Sequence, residues 1–184
     1  ADHSDASGNN ATQATRDFIK DTVAPSAPSA LALNSPATSP GNDTTPTIQI
    51  SGVSNGLSVK MFTDNACTSQ TGSTGSATGA TINIDSGALA DGSTTTFYAN
   101  ATDAAGNVSD CSTANVQYVT DTSNPTVAIT SPAANSYIYS GNKAAFTISG
   151  TCSENTRNVT ITAAGQTATA TCTANAWTKT LNLS

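Results

Sequence analysis

The sequence predicts an all-β protein of sandwich modules in tandem, one complete and one divided between the two chain ends. Three observations carry this reading. Short runs of alternating apolar residues recur along the chain, separated by clusters of Gly, Asn, Ser and Pro. No stretch shows the apolar period of about 3.6 residues that marks a helix. One turn motif is written twice, as Asp5-Ala6-Ser7-Gly8-Asn9 and as Asp103-Ala104-Ala105-Gly106-Asn107, 98 residues apart. Each copy is followed by an Asp-Thr pair, Asp21-Thr22 and Asp121-Thr122, 100 residues apart. A period near 100 with turn residues in register marks an array of similar modules.

Residues 1–22 read as the end of one strand, a turn at Asp5–Asn10 and a second strand at Thr15–Lys20 that contains Phe18. These are the last two strands, F and G, of a module. Residues 23–121 form a complete module. Its first seven residues are a linker stiffened by Pro25 and Pro28. Alternating pairs then mark its strands: Leu31 and Leu33 (A), Ile48 and Ile50 (B), Leu57, Val59 and Met61 (C), with Phe62 on the opposite face. Pro36 to Pro46 is a loop. Residues 68–79 are a Ser/Thr/Gly stretch that suits a short edge strand or a plain loop. Ile82 and Ile84 (E), Phe97, Ala99 and Ala101 (F), and Val116 and Tyr118 (G) complete the set. Seven short strands in so few residues argue for a sandwich of the immunoglobulin class.

Residues 122–184 begin the next module. Val127 and Ile129 (A), Phe146 and Ile148 (B), Val159 and Ile161 (C), Thr167–Thr171 (D), and Trp177, Leu181 and Leu183 (E) mark its strands. Strands F and G are the ones found at residues 1–22. The chain thus reads as one whole module plus the two ends of another. On one reading it is a piece of a longer tandem array. On the other, residues 1–22 of one copy complete residues 123–184 of the next by strand addition, which makes a head-to-tail filament.

Composition narrows the function. Hydrophobic residues make up 36% of the 184 and charged residues only 10%, so hydroxyls and amides carry the surface. The net charge is −6, and the six Lys and Arg are scattered. With no basic stripe to neutralise phosphates, nucleic acid is not an expected partner. No apolar run is long enough to span a bilayer, so no membrane insertion is expected of this segment. No GxSxG, P-loop or HExxH motif occurs, and the chain does not read as an enzyme. Four cysteines, two in each module, favour disulfides within modules and an oxidising compartment. Cys152 and Cys172 fall at the same end of the sandwich. Cys67 and Cys111 are harder to join, because a strand count sets them a strand's length apart; one pair per module nevertheless favours their bond.

The motif Asp103-Ala-Ala-Gly-Asn-Val-Ser109, with Asp121-Thr122 and Pro125 after it, and the earlier copy ending Asp21-Thr22-Val23-Ala24-Pro25 resemble the tandem bacterial Ig-like repeats of large surface adhesins. The resemblance covers essentially the whole chain. The two modules look like different subtypes, since Cys152 follows a B strand and Cys67 a C strand. The resemblance implies a cell-surface or extracellular location, a role as a structural or adhesive stalk, and as partners neighbouring repeats, copies of itself and a surface ligand.

It also implies Ca²⁺ at module junctions. Asp21, Asp103 and Asn107 are expected to converge where the linker enters, and by the same logic Asp121 would face the hairpin that Asp5 and Asn9 represent, a hairpin that belongs to another segment. Carboxylate and amide oxygens are suitable hard ligands. The alternative is that Asp and Asn only build the turn, with Gly106 supplying positive φ. Trp177 is expected as a core anchor. An exposed Trp177 would instead suit a carbohydrate-binding module, the third functional reading.

Overall fold

In the computed structural model, which describes residues 3–12 and 15–184, the chain divides into two compact units, 1–122 and 123–184. Ala1 and Asp2, in the first expected strand, and Gln13 and Ala14 lie outside the described residues.

Unit 1 holds seven strands: β1 Ala30–Ser35, β2 Thr47–Ser51, β3 Ser58–Phe62, β4 Gln70–Ser76, β5 Thr81–Asp85, β6 Thr94–Thr102 and β7 Val116–Val119. They match runs A to G in order. Two antiparallel sheets form, β1-β2-β5 and β4-β3-β6-β7. The Ser/Thr/Gly stretch is therefore a strand, and it joins the sheet of β3 rather than that of β1 and β2. In the constant-type immunoglobulin pattern the fourth strand sits on the other sheet.

Alternation decides which side chains meet. Ile48, Ile50, Val59, Met61, Phe97, Ala99, Ala101 and Tyr118 are all 0% exposed and form one cluster between the sheets. Phe62 breaks the alternation: it is buried, yet it has the opposite parity to Met61. The linker is not free of the sandwich. Pro28 is buried, and Ser29 N–H donates to the Ser51 carbonyl, extending the β1–β2 ladder.

Unit 2 holds β8 Val127–Ser131, a short 3₁₀ turn at Lys143–Ala145, β9 Phe146–Cys152, β10 Asn158–Ala163, β11 Gln166–Thr171 and β12 Ala176–Leu181. Its sheets are β12-β9-β8 and the hairpin β10-β11. The order repeats that of unit 1: β8, β9 and β12 take the places of β1, β2 and β5, and β10 and β11 those of β3 and β4. Leu31-Ala-Leu-Asn-Ser-Pro36 and Val127-Ala-Ile-Thr-Ser-Pro132 occupy the same place, and both ladders shift register at the equivalent step, Leu33/Ser35 and Ile129/Ser131. Phe146, Ile148, Cys152, Ile161, Cys172, Trp177 and Leu181 form the core.

Trp177 is 4% exposed, and its Nε1–H donates to the Thr151 carbonyl at 3.1 Å. It anchors the core and offers no exposed platform for a sugar. Its ring lies against Gly150, where a Cβ would come within 2.7 Å of the ring and 1.8 Å of the Ala128 carbonyl oxygen. Lys179 has the parity of Trp177 but is only half-buried, as a stem that snorkels to the rim would be.

Residues 15–22, expected to include a strand, make no ladder. A strand needs an edge to pair with, and this segment meets none. Phe18 and Ile19 are 87% and 96% exposed.

The close fit at Gly150 sets a prediction. Gly150→Ala forces both the backbone of β8 and the Trp177 ring to give way. Overpacking of this kind costs about 2 to 3 kcal/mol. Urea unfolding followed by Trp177 fluorescence, the chain's single tryptophan, is expected to show unit 2 less stable by that amount, with a lower midpoint.

Candidate functional site

The repeated turn carries the functional reading of the sequence, and its two copies are the same structure. Asp103 Oδ1 accepts from the backbone N–H groups of Ala105 and Asn107, each at 2.9 Å, and Oδ2 accepts from Asn107 Nδ2 at 2.9 Å. Asp5 Oδ1 accepts from Ser7 and Asn9 N–H, each at 2.9 Å, and Oδ2 from Asn9 Nδ2 at 2.9 Å. The backbone repeats as well: Gly106 N–H bonds the Asp103 carbonyl, and Gly8 N–H bonds that of Asp5. The two glycines have φ of 92° and 81°, a region open to Gly and costly for other residues. Each turn is closed by one bridge, Thr102 to Val108 and Ser4 to Asn10.

Carboxylates that accept this many N–H bonds hold their charge. The Asn107 amide and the turn N–H groups keep the Asp103 carboxyl below the ordinary aspartate range, and Asn9 and its neighbours do the same for Asp5. Asp64 behaves alike, held down chiefly by the Ser69 N–H at 2.6 Å. Sequence reasoning does not mark Asp64; an Asp followed by Ala66, Thr68 and Ser69 in a tight turn is the available signal.

Asp21 does reach this turn. Its carbonyl accepts from Asn107 Nδ2 at 3.4 Å, and its own Oδ1 accepts from Val23 N–H at 3.0 Å. Ile19, Asp21, Asn55, Leu57 and Asp103 line an open groove of about 490 Å³ beside it. Asp21, Asp103 and Asn107 thus come together. Asp121 does not join them: its N–H bonds Gly41 O just past β7, at the opposite end of β6 from Asp103.

As a Ca²⁺ site the arrangement does not fit. Ca²⁺ takes six to eight oxygens. The turn offers a single carboxylate, whose Oδ1 already accepts two N–H bonds and whose Oδ2 accepts one. Asn107 faces two acceptors, Asp103 Oδ2 and the Asp21 carbonyl, so it presents its NH₂ rather than its oxygen. Among the described residues no group of three or more His, Cys, Asp or Glu comes together to hold a metal. His3, the single histidine, is exposed.

The cysteines form two bonds, Cys67–Cys111 with Cα atoms 5.6 Å apart and Cys152–Cys172 at 6.1 Å. The strand-length separation expected for the first pair does not exist, and the reason lies after the Asp103 turn. Residues 108–112 run back along β6 before β7 begins. Ser109 N–H bonds Ala101 O and Ser112 N–H bonds Ala99 O, both at 2.8 Å. The hydroxyls of Ser109 and Ser112 in turn accept the N–H groups of Ala101 and Ala99 at 3.0 Å. Cys111, just before Ser112, is thereby carried down β6 towards Ala99, and its Sγ lies 3.9 Å from the carbonyl of Asp64, in the turn that holds Cys67.

No protein-family model matches the chain, and a search of curated proteins gives no match either. No helix among the described residues is long and apolar enough to cross a membrane.

The Asp turns predict an acid limb of stability. Their folded pKa values lie below the unfolded value of about 3.9, so their contribution is complete above that pH and is lost as pH falls through the folded values. Asp103→Asn keeps an acceptor but removes the charge. Its melting temperature is expected to fall below the wild type's at neutral pH, and the gap to close as pH drops below about 4. Because the donors gathered here fall short of a Ca²⁺ shell, EDTA is expected to leave the wild-type melting curve unmoved; a downward shift on chelation would restore the metal reading.

Proposed function

We propose that the chain is a structural, adhesive module of an extracellular bacterial surface protein or fibre, a stalk of Ig-like repeats. The observation that carries this is the pair of disulfide-stapled sandwich units repeated along one chain, with the Asp5 and Asp103 turns built from the same bonds. The resemblance of the sequence to tandem adhesin repeats supports the same reading. Neighbouring repeats are the partners this role requires, and a surface ligand would be held by other parts of the protein.

The work of such a module is mechanical. Tension along the chain loads ladders that are antiparallel in both sheets of each unit. When a unit yields, its disulfide limits how much chain is released. Cys67–Cys111 locks a loop of 44 residues and Cys152–Cys172 one of 20. In the chain-entropy model these closures contribute about 4 and about 3 kcal/mol. The bonds require an oxidising compartment, as outside the cell.

Pulling single molecules from end to end tests the role. With the bonds intact, each unit is expected to open in a discrete event. After reduction, the contour released should lengthen by about 150 Å for unit 1 and about 70 Å for unit 2, at about 3.5 Å per residue. A chain that extends smoothly with no discrete events, oxidised or reduced, would contradict a mechanical role.

A further inference from the structure

One buried side chain of unit 1 lies on the wrong face for the core. Phe62 is 5% exposed, yet its parity sets it on the outside of the sheet, away from Met61 and the inner cluster. Its cross-strand partner is Tyr98, and the next outward pair is Lys60 with Asn100. Asn100 Oδ1 is sealed from solvent as well, and among the described residues it accepts no hydrogen bond. A bare outer face would leave both groups wet. The cover is the turn of residues 63–69, which leaves β3 at Phe62 and is joined through Cys67 to Cys111. Residues 109–112 lie along the edge of β6 opposite β3, where Ser109 and Ser112 bond Ala101 and Ala99. The bond therefore spans the width of β6, which runs on past this level to Thr94 and Thr102. The inner face of β6 is filled by Phe97, Ala99 and Ala101. With Cα atoms 5.6 Å apart, the link can cross only on the outer face, the one that carries Tyr98 and Asn100.

Little besides that bond holds the turn down. Its hydrogen bonds close within it: the Asp64 carboxylate accepts from the N–H groups of Ala66, Thr68 and Ser69, and Thr63 N–H bonds the Ser69 carbonyl. Among the described residues nothing else ties it to residues 108–112, apart from the 3.9 Å approach of Cys111 Sγ to the Asp64 carbonyl. Covering Phe62 favours the closed turn, and covering an unpartnered Asn100 carbonyl opposes it. The two effects are similar in size, so the covalent bond decides. Cys67 adds to the opposition, because its φ of 53° lies in the left-handed region, unfavourable for a residue with a Cβ. The bond is also within reach. Cys67 and Cys111 are both partly exposed, whereas Cys152 and Cys172 are buried. Thiol exchange needs access to a sulfur, which the first pair offers and the second does not.

We propose that Cys67–Cys111 is a thiol-exchange site of the folded protein, open to a dithiol reductant, and that its reduction frees the 63–69 turn from the outer face of β6 and uncovers Phe62. A thiolate of the dithiol attacks one cysteine sulfur. The S–S bond breaks, and the other cysteine leaves as a thiolate that takes up a proton. The reductant's second thiol then displaces the first cysteine, which is protonated in turn. Two electrons pass to the protein, and the reductant ends as a disulfide. Cys152–Cys172 keeps its bond. The Asp64 carboxylate keeps the freed turn in shape, so the change is a release of one piece and not an unfolding. This goes beyond the mechanical role, since it makes one of the two staples switchable at rest.

Reduction of the folded chain tests the site and its consequence together. The protein is treated with rising dithiothreitol at neutral pH without denaturant, quenched with iodoacetamide, and mapped by peptide mass. Cys67 and Cys111 are expected to be alkylated several-fold faster than Cys152 and Cys172. Hydroxyl-radical footprinting of the same samples is expected to show Phe62 oxidised several-fold faster after reduction, with Phe97, sealed on the inner face, unchanged. The double variant Cys67→Ser, Cys111→Ser is expected to show the same rise at Phe62 with no reductant present. Cys152–Cys172 opening as fast as Cys67–Cys111 overturns the proposal. So does a Phe62 rate that moves neither on reduction nor in the double variant. A Phe97 rate that rises with that of Phe62 overturns it too, because the bond would then hold the sandwich itself. Pulling reads the contour released under force and not the reach of Phe62 at rest, so failure here leaves the mechanical reading standing.

Discussion

Closure of one sheet over the apolar face of the other is the constraint on which both units depend. A strand with alternating residues has one face that must leave water, and the hydrophobic gain of about 25 cal/mol per Å² is realised only when a second layer covers it. Unit 1 meets this with three strands against four, and eight of its core side chains are wholly sealed. Unit 2 sets three strands against two. Its centre, from Cys172 to Trp177, is covered, but the β8 margin is not. The same strand order and the same register shift in the A–B ladder thus lead to different burial, because cover is a property of the neighbours and not of β8 itself.

The polar features serve this closure. The Asp5, Asp64 and Asp103 turns satisfy their own backbone N–H groups, so tight reversals form without drawing on the sheets. Ser109 and Ser112 do for the upper half of β6 what a regular partner strand would do, by accepting the N–H groups of Ala101 and Ala99. The two disulfides then tie loops to sheets where few apolar side chains are available to hold them. In a chain with 36% hydrophobic residues, satisfied hydrogen bonds and covalent staples take up part of what a larger core would do.

Much of this is legible in the residues. Strands with clean alternation, such as β2 through Ile48 and Ile50 or β10 through Val159 and Ile161, declare themselves, because period-two burial is written directly in side-chain type. The strand β4 does not. Its place over the core is taken by Gly75, where a Cβ would come within 2.5 Å of the Ile82 side chain, so the fit is made by absence of a side chain and leaves no apolar signal. The position of Cys111 escapes a strand count for a related reason: residues 108–112 follow β6 through serine hydroxyls, an irregular pairing with no periodicity to read. At the candidate site, the meeting of Asp21 with Asn107 follows from strand order alone. That the Asp103 carboxylate binds its own turn does not, because a lone Asp-x-x-x-Asn spacing is equally suited to a ligand and to a turn.

Amide hydrogen exchange of the intact chain, resolved by residue and compared between about 1 μM and about 500 μM protein, tests the central claim most directly, since protection reports local opening. The β3 and β6 amides are predicted to be the slowest at both concentrations. The β10 amides that point away from β11 are predicted to exchange faster than those of β3 at both concentrations, because no strand among the described residues lies beside that edge. Protection at that β10 edge equal to that of β3 would contradict it, because unit 2 would then be closed as fully as unit 1.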